Sequence, residues 1–188
     1  MWLEPFLVST GVVAISEIGD KTQLLAFILA ARFKKPLPII LGILVATVAN
    51  HLLAAMLGVA ASHWLSPEVL RWILVAGFFA MAIWVLIPDK AEEDKPRTGM
   101  GAFMTTLVTF FLLEMGDKTQ IATMALSAKY QAVFVITCGT TLGMMIADVP
   151  AVFIGDRLAH RIPLRAVRIV AALLFVGLAG LAMMRVGF

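Results

Sequence analysis

The sequence is poor in charged residues and in cysteine, and each shortage excludes a class of protein. Only 14% of its 188 residues are charged, whereas 61% are hydrophobic and the mean hydropathy is +0.97. A soluble domain has about 25% charged residues and about 45–50% apolar ones, so this excess cannot be hidden inside a soluble enzyme of this size. The single cysteine, Cys138, rules out a disulfide framework and a cysteine-based metal site.

Two further absences concern function. No run of lysine and arginine interleaves with aromatic residues, so the basic pI of about 9.3 does not indicate a nucleic-acid partner. No HExxH or Ser/His arrangement is present that would support an intramembrane hydrolase. The composition therefore predicts an integral membrane domain that is not an enzyme and carries no prosthetic group.

Long apolar runs dominate the chain and predict an all-α membrane protein. A helix of about 20 apolar residues crosses a bilayer core about 30 Å thick. Six such segments are present, and no formal charge lies between Lys35 and Glu68. The predicted spans are roughly 5–31, 37–60, 69–88, 100–128, 132–155 and 167–186.

The distribution of lysine and arginine predicts the orientation of these spans. The side that holds the Asp89–Gly99 loop carries ten basic residues: Arg32, Lys34, Lys35, Lys90, Lys95, Arg97, Arg157, Arg161, Arg165 and Arg168. The other side carries three: Arg71, Lys129 and Arg185. Because cytoplasmic loops are the more basic ones, the central loop is predicted to be cytoplasmic and both termini to be outside.

The chain repeats itself at a shift of 97 residues. The block Glu17–Gln23 then falls on Glu114–Gln120, with six of seven positions identical. The repeats are 1–91 and 98–188, and each contains three predicted spans. Because three is odd, the two halves are expected to insert with opposite topology. Inverted repeats are typical of secondary transporters, which bind their substrate between the repeats near the membrane midplane.

The repeated block places four carboxylates within predicted spans: Glu17, Asp20, Glu114 and Asp117. Ionisable groups at that depth cost several kcal/mol and mark a functional site. On a continuous helix the i, i+3 spacing puts the two acids of each block on one face, and Lys21 can pair with Glu17 four residues before it. The lysine could instead reach Asp20 or the opposite repeat. Four carboxylates and two lysines leave a formal charge of −2, which one divalent cation would cancel.

The remaining residues of the block are predicted to support this site: Lys21, Thr22 and Gln23, with Lys118, Thr119 and Gln120. Their oxygen atoms favour a hard cation. On a regular helix the two threonines point away from the acids, so they are ligands only if the helix unwinds at Gly19 and Gly116. Outside the block, Asp148 is a candidate proton relay or a local cap, and Asn50 a candidate pathway residue or an interhelical hydrogen-bonding group.

Three functions are compatible with these residues. The first is a secondary transporter that exports Mn²⁺ from the cytoplasm in exchange for protons, which the same carboxylates would take up because burial disfavours their charged form. The second is a Ca²⁺/H⁺ antiporter on the same scaffold. The third is a non-transporting assembly or structural protein, in which acid–lysine pairs only fix helix packing.

The two copies of E-x-G-D-K-T closely resemble a motif of the divalent cation/proton exchangers of Golgi and thylakoid membranes, whose bacterial members are manganese exporters. The resemblance extends over essentially the whole chain, and both copies fit the family pattern fully. It implies transport of Mn²⁺ or Ca²⁺, with protons as the second substrate. Because the chain is short, it looks like a prokaryotic form, which implies the inner (plasma) membrane of a bacterium. The resemblance also implies that Glu17, Asp20, Glu114 and Asp117 are the cation-site residues.

Overall fold

The computed structural model describes residues 2–87, 101–154 and 164–184. These ranges form eight helices and contain no strand, which confirms the all-α prediction. The helices are α1 (Leu3–Glu17), α2 (Lys21–Phe33), α3 (Pro36–Trp64), α4 (Pro67–Trp84), α5 (Ala102–Glu114), α6 (Lys118–Tyr130), α7 (Val133–Ile154) and α8 (Leu164–Met183). The predicted cytoplasmic loop Asp89–Gly99 lies outside the described residues, as do Arg157, Arg161 and Arg185 of the charge count.

Helices α3, α4 and α7 are each long and apolar enough to cross a membrane alone. The first and fourth predicted spans, in contrast, are not continuous helices. Each is divided into two short helices, α1 with α2 and α5 with α6, of 15 or 13 residues. At 1.5 Å per residue, 13 residues extend only about 20 Å, which is less than the thickness of a bilayer core. Each pair would have to act together as one interrupted crossing.

Both interruptions are built in the same way around a glycine with positive φ. Gly19 has φ of +79° and Gly116 has φ of +81°, a backbone conformation that glycine adopts without steric cost. The aspartate that follows each glycine is extended and begins the next helix, and the Asp20 side chain accepts from the Lys21 N–H at 2.6 Å. The question that the sequence left open is therefore answered, because both helices unwind at these glycines.

The helices of the two halves pack across one another. Helix α1 packs against α7, and α3 packs against α5, α6 and α7. Two glycines 97 residues apart allow close approaches between the halves. A Cβ at Gly42 would lie 2.8 Å from Cβ of Thr106 in α5, and one at Gly139 would lie 2.7 Å from the carbonyl oxygen of Phe6 in α1. Any larger residue at either position would push these helices apart.

Hydrogen bonds at one end of the bundle show which helix ends lie together. Tyr130 donates to the Glu4 carboxylate at 3.2 Å, and Gln131 donates to the Ser62 hydroxyl at 2.7 Å. The start of α1, the end of α3 and the α6–α7 connection thus share one end. The α1–α2 pair therefore runs antiparallel to α3, so α1 and α2 together extend from one end of the bundle toward the other.

The polarity of the bundle is inverted relative to a soluble protein. Large apolar side chains such as Trp64, Phe134 and Leu173 are highly exposed on its outside, as expected for a surface in contact with lipid. The interior contains fully buried aromatic residues such as Phe78 and Phe110, and it also contains buried carboxylates, threonines and amides. These polar groups gather where the two interruptions meet.

Candidate cation site

Three carboxylates from the two interruptions converge inside the bundle. Glu17 ends α1, Glu114 ends α5, and Asp117 precedes α6; all three are buried. Each offers one oxygen, and the three oxygens lie within 4.8 Å of one another. Like charges at this distance repel strongly in surroundings of low dielectric constant. A cation, bound protons or neighbouring ammonium groups must therefore offset the repulsion.

Asp20, the fourth predicted acid, is not part of this group of three. It is buried, and its carboxylate pairs with the Lys118 ammonium group at 2.5 Å. The expected shared helix face of Glu17 and Asp20 is wrong, because Glu17 ends one helix and Asp20 caps the next. The i, i+3 rule applies only along a continuous helix.

The two lysines connect one interruption to the other. Lys21 pairs with Asp117 at 3.1 Å, and Lys118 pairs with Asp20 at 2.5 Å. The expected pairing of Lys21 with Glu17 along one helix is wrong for the same reason, since the chain changes direction at Gly19. Because each lysine neutralises the aspartate of the opposite half, the formal charge of −2 remains on the two glutamates.

Each glutamate is held by a threonine from the helix that follows it. The Thr22 hydroxyl donates to Glu17 Oε2 at 2.7 Å, and the Thr119 hydroxyl donates to Glu114 Oε2 at 3.0 Å. The interruptions bring these threonines to the acidic side, whereas a regular helix would point them away. The other oxygen of each glutamate, Oε1, is buried and has no hydrogen-bond partner within the described ranges.

Gln23 ties the first interruption to α7. Its Oε1 accepts from the Gly19 N–H at 3.0 Å, and its Nε2 donates to the carbonyl oxygen of Ala147 at 2.9 Å. Since the turn at Gly19 leaves its N–H without a helical partner, the glutamine replaces that bond. The side chain therefore positions the interruption and is not directed at the carboxylates as a ligand.

Gln120 does the same for the second interruption, with a different partner. Its Oε1 accepts from the Gly116 N–H at 2.6 Å, and its Nε2 donates to Asn50 Oδ1 at 3.4 Å. Asn50 in turn donates to the carbonyl oxygen of Phe111 in α5 at 3.0 Å. Asn50 therefore makes the interhelical hydrogen bonds that were one of its two expected roles. No feature of the sequence indicated which helices it would join.

Asp148 and His51 occupy equivalent positions of the two halves, since they are 97 residues apart. Both are fully buried. Neither carboxylate oxygen of Asp148 and neither ring nitrogen of His51 has a hydrogen-bond partner in the part of the chain that the structure describes. A cap role for Asp148 therefore finds no support in its contacts, and its expected role as a proton relay stays a prediction.

The donor atoms of this site suit a hard divalent cation. Glu17, Glu114 and Asp117 supply carboxylate oxygens, and each of the three has one buried oxygen without a hydrogen bond within the described ranges. Such oxygen sets are typical of Mn²⁺, Ca²⁺ and Mg²⁺ rather than of softer metals. Buried polar atoms without partners are rare in folded proteins, so their concentration here indicates that something else satisfies them.

Comparison with known families identifies the scaffold. The family model described as "Divalent cation/proton antiporter GDT1" matches residues 5–93 and 102–187. The chain belongs to this family. Its GDT1 membership confirms the resemblance seen in the two E-x-G-D-K-T copies, and the family is one of transporters, not of enzymes.

Individual GDT1 relatives extend the comparison. A protein of Vibrio cholerae named "Putative manganese exporter" is 50% identical over 169 residues, which cover 89% of this chain and 84% of the relative. GDT1-like protein 4 of Oryza sativa subsp. indica is 30% identical over 93% of this chain and 71% of its own length. GDT1-like protein 5 of Arabidopsis thaliana is 27% identical over 93% and 92%. No solved structure matches the chain.

Proposed function

We propose that this protein exports Mn²⁺ from the bacterial cytoplasm across the inner membrane in exchange for protons. The cation binds between two inverted three-helix repeats, at Glu17, Glu114 and Asp117, with Asp20 as the fourth acid of the site. The observation that carries the proposal is the convergence of the three carboxylates within 4.8 Å, deep among helices whose outer surface is apolar. Family membership favours exchange over the alternative of a structural or assembly protein.

The charge of the site supports the exchange of one dication for two protons. The lysines already neutralise the two aspartates, so Glu17 and Glu114 carry the two remaining negative charges. One Mn²⁺ cancels them, and so do two protons. Both loaded forms are then neutral overall, whereas the empty form buries a charge of −2, which is costly in an apolar interior.

The architecture supports the six-span arrangement that the proposal includes. The helix ends joined by Tyr130–Glu4 and Gln131–Ser62 support the proposal that α1–α2 and α5–α6 are two interrupted crossings. Short helices that meet at a polar site are typical of transporters with inverted repeats. The central loop is proposed to face the cytoplasm, in agreement with the lysine and arginine bias.

Mn²⁺ is proposed before Ca²⁺ because the Vibrio cholerae relative, at 50% identity, bears the name of a manganese exporter. Ca²⁺ is the second candidate, since the same oxygen donors bind it. The two ions are separated by competition in everted membrane vesicles, where export appears as uptake. We expect the uptake of Mn²⁺ to depend on a proton gradient, and we expect an excess of Ca²⁺ to inhibit this uptake only weakly.

The site is tested by replacing its acids with amides of the same shape. Glu114→Gln and Glu17→Gln are expected to raise the KM for Mn²⁺ at least about tenfold, because an interaction with a charged group contributes about 1.5–3 kcal/mol. Glu68→Gln is the matched control, since this carboxylate is exposed at the start of α4 and far from the interruptions in the chain. Transport by Glu114→Gln at the rate and KM of the parent protein would refute the site.

A further inference from the structure

Asn50 braces both sides of the second interruption at once. Its Nδ2 donates to the carbonyl oxygen of Phe111, three residues before Glu114, and its Oδ1 accepts from Gln120, three residues after Asp117. The residue is fully buried in the middle of α3. One side chain from a continuous helix thus connects the end of α5 to the start of α6, on either side of two carboxylates.

Among the residues that the structure describes, no side chain braces the first interruption in this way. The residue equivalent to Asn50 at the 97-residue shift is Ala147, which takes part only through its main-chain carbonyl. That carbonyl belongs to the backbone of α7, and Gln23 reaches it at 2.9 Å. The two halves of the site are therefore held by different chemistry, a backbone anchor for the first and a rotatable amide for the second.

The second interruption also has less protein around it. Met115 and Gly116 are exposed, whereas Ile18 and Gly19 are half-buried. A Cβ built at Gly116 would meet nothing within 4 Å. With little packing to fix it, the geometry of Glu114 and Asp117 depends on the hydrogen bonds that reach this segment, and both bonds of Asn50 are among them.

We propose that Asn50 is a positioning residue that sets the cation preference of the site, in favour of Mn²⁺ over Ca²⁺. This inference rests on the proposed function. Ca²⁺ accepts six to eight oxygens in irregular geometry, whereas smaller divalent ions require shorter and more regular coordination. A braced pair of carboxylates satisfies the smaller ion, and a loosened pair adapts to the larger one.

The test measures the KM for each ion in everted vesicles that contain the full-length protein. Asn50→Ala removes both hydrogen bonds of Asn50. It is expected to raise the KM for Mn²⁺ at least about fivefold, which is the effect of losing one such bond, and to leave the KM for Ca²⁺ nearly unchanged. The maximal rate should change less than the KM. The preference for Mn²⁺ over Ca²⁺ therefore falls by about the same factor.

Ser127→Ala is the matched control. Ser127 in α6 donates to the carbonyl oxygen of Ala55 in α3 at 2.9 Å. It therefore joins α3 to α6 with one buried hydrogen bond, as the bond between Asn50 and Gln120 also does. It lies ten residues beyond Asp117 and outside the interruption. Its loss should lower stability without altering the ratio of the two KM values. An equal change of the ratio in both variants, or an unchanged ratio in Asn50→Ala, would overturn the proposal.

A second variant serves if Asn50→Ala does not fold, as judged by size-exclusion chromatography in detergent. Gln120→Met removes the bond to Asn50 together with the bond from the Gly116 N–H, and it retains the bond from Asn50 to Phe111. Because the second interruption is loosened, the ratio should shift in the same direction. An unchanged ratio in that variant would also overturn the proposal. If the parent protein exchanges neither Mn²⁺ nor Ca²⁺ for protons, the proposed function itself fails. If the parent protein does exchange these ions but the variants keep its ratio of KM values, only the role of Asn50 fails.

Discussion

Replacing Gly116 with alanine isolates the energetic cost of the second interruption. At φ of +81° an L-residue places its Cβ too close to its own backbone, which costs about 1–2 kcal/mol. The usual second penalty, collision with neighbours, is absent, because a Cβ here would meet nothing within 4 Å. The hydrogen bond from the Gly116 N–H to Gln120 involves no atom that the substitution changes. We therefore expect Gly116→Ala to destabilise the protein by about 1–2 kcal/mol.

Gly177→Ala is the matched control within α8. A Cβ at Gly177 likewise meets nothing within 4 Å, but this glycine does not have positive φ and lies inside a helix. Alanine there should stabilise the protein by about 0.5–1 kcal/mol, since glycine disfavours a helix interior. Two substitutions of the same chemistry, both without steric neighbours, should thus change stability in opposite directions.

The assay is thermal unfolding of purified protein in detergent, followed by the fraction that remains monodisperse after heating. Transport of Mn²⁺ by vesicles with equal amounts of each variant gives the functional effect, which should be a loss for Gly116→Ala and none for Gly177→Ala. If Gly116→Ala unfolds at the temperature of the parent protein and transports normally, the second crossing does not need its interruption. The requirement for a glycine with positive φ between Glu114 and Asp117 would then be refuted.

Two further predictions concern ionisable groups. Lys118→Met should cost about 3–5 kcal/mol of stability because it removes the ion pair between Lys118 and the buried carboxylate of Asp20. Glu68→Gln, which breaks the exposed pair with Arg71, should cost less than about 1 kcal/mol. Chemical unfolding of both variants measures these losses of stability, and equal losses would contradict the prediction. Burial, followed by the charge of Glu4, raises the pKa of Tyr130 to about 12. The fold thus favours the neutral phenol, and this contribution to stability is complete below a pH of about 10 and is lost as the pH rises through about 12. Because Tyr130 is the sole tyrosine, phenolate absorbance reports it directly; Glu4→Gln should lower its midpoint, and an unmoved midpoint would show that Glu4 does not act on it.

The sequence was sufficient to predict the helical class, and it singled out four acids that the structure buries, Glu17, Asp20, Glu114 and Asp117. Hydrophobic runs reveal spans because a bilayer demands them, and buried acids stand out because they are expensive. The sequence left open whether the first and fourth spans unwind, and each proves to be two helices. The polar block at each break is only seven residues long, so hydropathy averaged over a whole span does not register the break, and a glycine alone does not fix its own φ.

The ion-pair partners of the two lysines could not be predicted from spacing along one helix. From spacing, Lys21 belonged with Glu17, yet its partner is Asp117, almost a hundred residues away. That partner depends on how α1–α2 faces α5–α6, which no helical period encodes. The contacts of Asn50 were hidden for the same reason, because its partners Phe111 and Gln120 come from two helices on either side of an interruption.

The exchange of lysines between the halves has a consequence for the autonomy of each half. A polypeptide ending before the central loop would retain Glu17 and Asp20 but lose the ammonium group of Lys118 that compensates Asp20. The carboxyl-terminal fragment would lose Lys21 in the same way. Neither fragment is then expected to survive in a membrane by itself, whereas the two expressed together should complement each other in trans. A single ancestral half would have needed a second, oppositely inserted copy of itself to be viable.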